Sequence, residues 1–300
     1  MTLLDYLHRA SARLDEAGVS FGHGTTNAFD EAAWLVLWKL GLPLDDLDGV
    51  AGRALRDDEI AALDGLVDAR IATRKPAAYL TGEAWLQGVP FTVDERVIVP
   101  RSLIAEVLAE GLIDPWLAPG ATRVLDLCTG NGSLAVLAAL AWPEVAVDAA
   151  DLSTAALEVA ALNVARHALH DRIALHQGDG LAALPAGRRY DLVLCNPPYV
   201  HQAAMDALPA EYRAEPELAL AGGADGMDFV RALLAAAPGR LSDDGVLVLE
   251  IGNERAFFEA AFPGLEVVWL PTQLHDDAVL LVTRAMLEDG LAPVPRNRVS

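Results

Sequence analysis

Apolar positions recur at helical spacing through residues 1 to about 80, separated by polar turns. Met1 to Glu16 interleaves Asp5, Arg9, Arg13 and Asp15 with apolar residues. That predicts an amphipathic helix and not a signal peptide. Phe29 to Leu40 sets Ala32, Ala33, Leu35, Val36, Leu37 and Leu40 at helical spacing. Asp57 to Arg74 sets Ile60, Leu63, Leu66, Val67 and Ile71 on one side. No strand pattern interrupts them, so residues 1–83 read as a small helical domain. Over 84–100 the period changes. Phe91-Thr92-Val93 and Arg96-Val97-Ile98-Val99 flank Asp94-Glu95, which predicts a β-hairpin linker between two domains.

From Arg123 strand and helix patterns alternate. Strands are expected at Val124–Leu127, Val145–Ala150, Ile173–His176, Tyr190–Cys195 and Val246–Ile251. Helices are expected at Ser133–Ala141, Ser153–His170 and Met227–Ala237. The series predicts an α/β domain with a mostly parallel sheet over 101–285. Glu266–Leu270 and Ala278–Thr283 have only a short loop between them, which predicts an antiparallel pair at the end. There is no internal repeat, and a loosely ordered tail is expected after Arg284, with 286–300 outside the domain.

The chain has 300 residues, ample apolar content for a sizeable core, and no run of the roughly 20 apolar residues a membrane span needs. The two cysteines, Cys128 and Cys195, fall at strand ends and read as reduced core residues of a cytoplasmic protein. No CxxC or other metal-ligand spacing is present, so no metal is expected. The net charge is −21, and the only lysines are Lys39 and Lys75. Extensive phosphate-backbone binding needs clustered Lys and Arg, so a nucleic-acid substrate is disfavoured. A basic protein partner is compatible with this charge, as is an acidic surface that only keeps the chain soluble.

Candidate chemistry collects at strand ends. Asp126-Leu127-Cys128-Thr129-Gly130-Asn131-Gly132 joins the first strand of the sheet to its helix. Gly130 and Gly132 permit a tight turn and close approach of a ligand. The G-x-G-x-x-G dinucleotide form is incomplete, since Ala135 stands at its last position. S-adenosylmethionine is the alternative ligand, with Asp126 facing its amino group or sulfonium side. Asp151 ends the second strand, where an acid binds ribose hydroxyls in either cofactor class. Asp179, in Gln177-Gly178-Asp179-Gly180, follows the third strand, where an adenine amino group can be met. Each acid alone suits a cap or a turn; together they mark a crevice at the carboxyl edge of the sheet.

Asn196-Pro197-Pro198-Tyr199 follows the fourth strand on the same edge. Two prolines cannot continue a ladder and make a stiff turn. The Asn196 side chain and the Pro197 carbonyl can grip an -NH2 group, and the Tyr199 ring can stack on its plane. These groups suit the methylation of an amide or aromatic amine, a poor nucleophile.

On these residues the chain resembles the protein-glutamine N5-methyltransferase family, from about Gly22 to Thr283. The N-P-P-Y tetrapeptide is shared with adenine-N6 DNA methyltransferases. The fuller match lies in Val99-Pro100-Arg101-Ser102, Glu215-Pro216-Glu217-Leu218-Ala219-Leu220 and Gly222-Gly223-Ala224-Asp225-Gly226. Within the family the chain is most like the branch acting on ribosomal protein L-three. Gly22-His23-Gly24-Thr25, Asp30-Glu31-Ala32, Ala78-Tyr79-Leu80-Thr81, Ala84-Trp85, Val93-Asp94-Glu95-Arg96-Val97 and Leu208-Pro209-Ala210-Glu211-Tyr212-Arg213 are similar to that branch. So is Cys128, where many members have Gly. Asn131-Gly132-Ser133-Leu134 departs from the pattern of small or β-branched residues, a difference that bears on packing rather than binding.

The resemblance implies a seven-stranded Rossmann-like class I methyltransferase fold and a helical N-terminal domain that recognises substrate. It implies S-adenosylmethionine as cofactor, held by Asp126, Cys128, Thr129, Gly130, Asn131, Gly132, Asp151, Leu152, Asp179, Gly180 and Asn196. It implies glutamine methylation of L-three, a basic protein, by Asn196, Pro197 and Tyr199, with Pro198 and Arg101 also touching substrate. Arg101 can instead pair with a local acid such as Glu106. His23 suits a core or capping role as well as recognition, and Tyr212 and Arg213 can line the groove or order the loop. Rival readings are glutamine methylation of release factors, adenine-N6 methylation of nucleic acid, a nucleotide-binding oxidoreductase, and an inert docking module.

Overall fold

Two periodicities in one chain give two units, and the computed structural model describes residues 1–291 of them. The first unit comprises Met1–Arg101 and Leu208–Pro216, the second Ser102–Ala207 and Glu217 onward.

In the first unit the helix Leu3–Glu16 starts at a reciprocal cap: Asp5 N–H donates to Thr2 Oγ1 at 3.1 Å and Thr2 N–H to Asp5 Oδ2 at 2.9 Å. Its Leu3, Tyr6, Leu7, Ala10 and Leu14 pack with Ala32 and Val36 of the helix Ala28–Leu40. The helix Asp57–Thr73 presents Ile60, Leu63, Val67 and Ile71 to the same core, as expected. Its buried line is Glu59, Leu63, Val67 and Arg70, while Ile60, Leu66 and Ile71 are only half-buried. Arg70 is 0 % exposed because its guanidinium is answered from inside: Nε donates to Glu31 Oε1 at 2.8 Å and Nη2 to the Ser20 carbonyl at 3.1 Å. A hydrophobicity pattern cannot flag a buried arginine.

The hairpin forms one step earlier than the pattern suggests. Strands β1 (Glu83–Leu86) and β2 (Val89–Thr92) pair antiparallel across Gln87 and Gly88, at φ 49° and 73°. Two left-handed residues in succession match the twist of a tight hairpin. Asp94-Glu95, expected at the turn, lies beyond the second strand. Asp94 accepts from the Arg96 N–H at 3.0 Å and fixes a local turn, and Val93, Val97 and Val99 are buried without pairing as strands.

The second unit carries seven strands: β3 (Arg123–Leu127), β4 (Ala146–Asp151), β5 (Ile173–Gln177), β6 (Tyr190–Cys195), β7 (Leu241–Glu250), β8 (Val268–Leu270) and β9 (Val279–Thr283). Their spatial order is β5-β4-β3-β6-β7-β9-β8. Neighbours from β5 to β7 are parallel, and β9 is antiparallel to both β7 and β8. This is the seven-stranded Rossmann-like fold the resemblance implied. The order reverses between β3 and β6, the usual place for a ligand crevice in an open α/β sheet. Strand β7 begins five residues before the apolar run Val246–Ile251, because its Leu241 still pairs with Tyr190.

The tail is ordered further than expected. Thr283 caps a helix, Arg284–Gly290, whose Leu287 is buried in the core of the second unit. Of the tail 286–300, residues 292–300 lie outside the described residues. Among the described residues no helix is long and apolar enough to cross a membrane.

Candidate active site

Register places the candidate residues of the second unit along one edge. Leu127 pairs with Ala150 and with Cys195, and Asp151 with Gln177. The carboxyl ends of β3, β4, β5 and β6 are therefore neighbours, and with them Asp126, Asp151, Asp179 and Asn196.

The loop after β3 turns through three left-handed residues, Cys128 (φ 61°), Gly130 (55°) and Gly132 (80°), into the helix Ser133–Ala141. A Cβ on Gly132 would meet Ala160 Cβ at 3.2 Å, so the turn also packs close to the neighbouring helix. Asp126 is 1 % exposed. Its Oδ2 accepts from the Thr129 hydroxyl and, at 2.9 Å, from the Ala135 N–H. Its Oδ1 is buried and has no partner, and burial pushes the carboxyl up to about 7. The Asn131 side-chain oxygen accepts from the Ser133 N–H at 3.2 Å, and its Nδ2 is buried without a partner. One loop thus holds an unanswered acceptor and an unanswered donor. Buried polar atoms are rarely left so, and this pair fits the ammonium and carboxylate of the methionine end of S-adenosylmethionine.

Asp151 ends β4 and accepts from the Gly130 N–H at 2.9 Å and the Ser153 N–H at 2.8 Å, one on each oxygen. Burial raises its carboxyl as well. Each oxygen keeps a lone pair for a ribose hydroxyl. Leu152 is 48 % exposed, and Asp179 is exposed beside Gly180, which holds φ 51°. An apolar surface and an exposed carboxylate suit the face and the amino edge of adenine.

Asn196 is half-buried and Pro197 buried at the exit of β6. The turn is clamped downstream: Val200 N–H donates to Leu220 O and Gly222 N–H to Val200 O, each at 2.9 Å. The Tyr199 hydroxyl donates to Glu250 Oε1 at 3.1 Å. Sequence reasoning missed Glu250. The available signal is an acid closing an apolar strand at the same carboxyl edge. It also missed Gly252, whose added Cβ would stand 2.6 Å from Tyr199 Cε2.

Arg101 lies in the first unit. Its Nη1 and Nη2 donate to Glu215 Oε1 and Oε2 at 2.6 and 2.7 Å. Glu106 accepts from the Gln273 N–H. His23 is 1 % exposed, with Nε2 3.5 Å from Glu215 Oε2 and its ring 4.3 Å from that of Tyr212. His23 is therefore buried, and Tyr212 packs on it. Cys128 and Cys195 are both free thiols. Of the departing residues, Ser133 and Leu134 are buried, while Asn131 brings the unpartnered amide described above.

The methyltransferase small domain family matches residues 105–211. Curated relatives match nearly end to end. The ribosomal protein uL3 glutamine methyltransferase of Bordetella pertussis is 59 % identical over 289 residues, covering 95 % of this chain and 96 % of that protein. The protein of the same name from Burkholderia pseudomallei is 54 % identical over 291 residues, covering 94 % of each. Among solved structures, a methyltransferase from Pyrococcus furiosus aligns with a TM-score of 0.48 at 17 % identity, over 72 % of this chain and 97 % of that one.

Proposed function

Because the chain belongs to the ribosomal protein uL3 glutamine methyltransferase family, we propose that it methylates the side-chain nitrogen of a glutamine in uL3, the L-three protein of the branch named above. It is an S-adenosylmethionine-dependent methyltransferase, and the cofactor supplies an electrophilic methyl on a sulfonium.

Asp126 Oδ1 would take the cofactor's ammonium, Asn131 Nδ2 its carboxylate, and Asp151 its ribose. Cys128, Thr129, Gly130 and Gly132 would shape the loop around it. Leu152, Asp179 and Gly180 would meet the adenine. Asn196 Oδ1 and the Pro197 carbonyl accept the two N–H bonds of the glutamine amide. That orients the nitrogen toward the methyl and stabilises the positive charge that grows on it during transfer. Pro198 and Tyr199 border the amide. The nitrogen would bond to the methyl as the methyl–sulfur bond breaks, the sulfonium leaving as the neutral thioether S-adenosylhomocysteine, and the nitrogen would release one proton to solvent.

The pair of unanswered buried atoms, Asp126 Oδ1 and Asn131 Nδ2, is the observation that carries the cofactor assignment. The net charge of −21 supports a basic protein as substrate. A ribosomal protein, built to hold ribosomal RNA, offers the complementary sign. The test is the mass of uL3 from cells lacking this chain, expected one methyl lighter than from cells that carry it. An unchanged mass would overturn the substrate.

A further inference from the structure

Glu250 closes β7 and is 3 % exposed. Its carboxylate receives three hydrogen bonds, all from neutral donors. Ser102 Oγ–H and Leu103 N–H reach Oε2 at 2.6 and 2.9 Å, and Tyr199 O–H reaches Oε1 at 3.1 Å. No cation is paired with it among the described residues, and burial pushes its carboxyl up. Filling this space is a task an apolar side chain does better, since a buried acid loses its hydration. What Glu250 adds is acceptor capacity, and one acceptor oxygen is spent on Tyr199.

Tyr199 is seated at three levels. The Val200–Leu220 and Gly222–Val200 bonds fix the chain just beyond it. Bare glycine backbone fixes the rest: a Cβ on Gly222 would come 2.7 Å from Tyr199 Cα, and one on Gly252 would strike the ring. Glu250 holds the hydroxyl. Between Tyr199 and Asn196 stand only Pro197 and Pro198, each with a locked φ. With φ fixed at both prolines, only their ψ angles separate the placement of the tyrosine from that of the asparagine.

We propose that Glu250 is a positioning residue for methyl transfer: it holds Tyr199 by its hydroxyl, and the stiff proline pair passes that placement to Asn196. The inference rests on the function proposed above for Asn196. Glu250 touches neither substrate nor cofactor in this scheme. Gln at position 250 can keep the geometry. Its carbonyl still accepts from Ser102 and Leu103, and its amide donates to the Tyr199 oxygen. Ala cannot.

The test compares Y199F, E250A, E250Q and the double variant Y199F/E250A. Y199F and E250A should each lower kcat roughly tenfold to a hundredfold, with KM for S-adenosylmethionine within about twofold of wild type. The double variant should be no slower than the slower single variant, within about twofold, because both act through one contact. E250Q should return kcat to within about fivefold of wild type. Losses that multiply in the double variant, or Y199F at wild-type kcat, would overturn the proposal. If E250A does not fold, E250L, which fills the space without an acceptor, takes its place in the cycle with Y199F. A second readout needs no substrate: the side-chain amide resonances of Asn196 should move in Y199F and E250A and stay in E250Q. Unmoved resonances in Y199F overturn the positioning role whatever the turnover. A wild type that methylates nothing, with resonances that do move, overturns the function and leaves the positioning intact.

Discussion

Arg101 and Glu215, 114 positions apart, meet as a two-pronged ion pair at 2.6 and 2.7 Å. Glu215 also accepts from the Val99 N–H at 2.9 Å. The pair closes the returning segment Leu208–Pro216 onto the helical unit that contains it. Both prongs follow the fork geometry that makes Arg–carboxylate pairs strong.

A pH dependence of stability follows. Burial works to raise the Glu215 carboxyl, but the His23 imidazole and the Arg101 guanidinium beside it prevail and hold it at about 2, below the usual 4.5. A depressed acid stabilises the fold above its unfolded pKa and stops doing so as pH falls through its folded one. The contribution is on the order of 3 kcal/mol at neutral pH and fades between pH 4.5 and about 2. Glu215→Gln should lower stability by roughly that amount in urea unfolding at pH 7. The gap to wild type should narrow as pH falls across that window.

Cofactor affinity should rise with pH. Asp126 titrates at about 7 because it is buried, and only its ionised form attracts an ammonium. Between pH 6 and 8 the Kd for S-adenosylmethionine should fall by up to about tenfold, with proton release on binding. Asp126→Asn should bind weakly and lose most of that slope. Calorimetry in buffers of different ionisation enthalpy measures both.

Asn196→Ala should reduce kcat by about a hundredfold or more, while Kd for S-adenosylmethionine stays within a few fold. Asp151→Ala should do the reverse, weakening cofactor binding first. Single-turnover kinetics beside calorimetry separate the two.

Cys128 holds φ 61°, a left-handed conformation that costs an L-residue roughly 1–2 kcal/mol. Cys128→Gly should therefore leave stability within about 1 kcal/mol of wild type, relief of strain offsetting lost packing. Cys128→Val, β-branched at the same angle, should cost at least about 2 kcal/mol. Chemical denaturation at neutral pH distinguishes them.

The sheet was legible in the sequence because parallel strands buried on both faces read as continuous apolar runs, as Tyr190–Cys195 does. The acids at successive strand ends were legible because chain order alone puts them on one edge. Three features were not. The hairpin was shifted because the apolar Val97–Val99 mimics a strand, while its burial comes from Asp94 turning the chain back. The burial of Arg70 was not legible because its partners, Glu31 and the Ser20 carbonyl, are supplied by distant segments. The seat of Tyr199 was invisible because Gly222, Gly252 and Glu250 join it from separate parts of the chain.

The measurement that bears most directly on the account is a methyl-transfer assay with labelled S-adenosylmethionine. Free uL3 and a translation release factor are offered side by side, Asn196→Ala serves as control, and mass spectrometry locates the methyl. The account predicts methyl on a glutamine of uL3 and almost none with the variant. Methyl on the release-factor glutamine alone, or full transfer by Asn196→Ala, would contradict it.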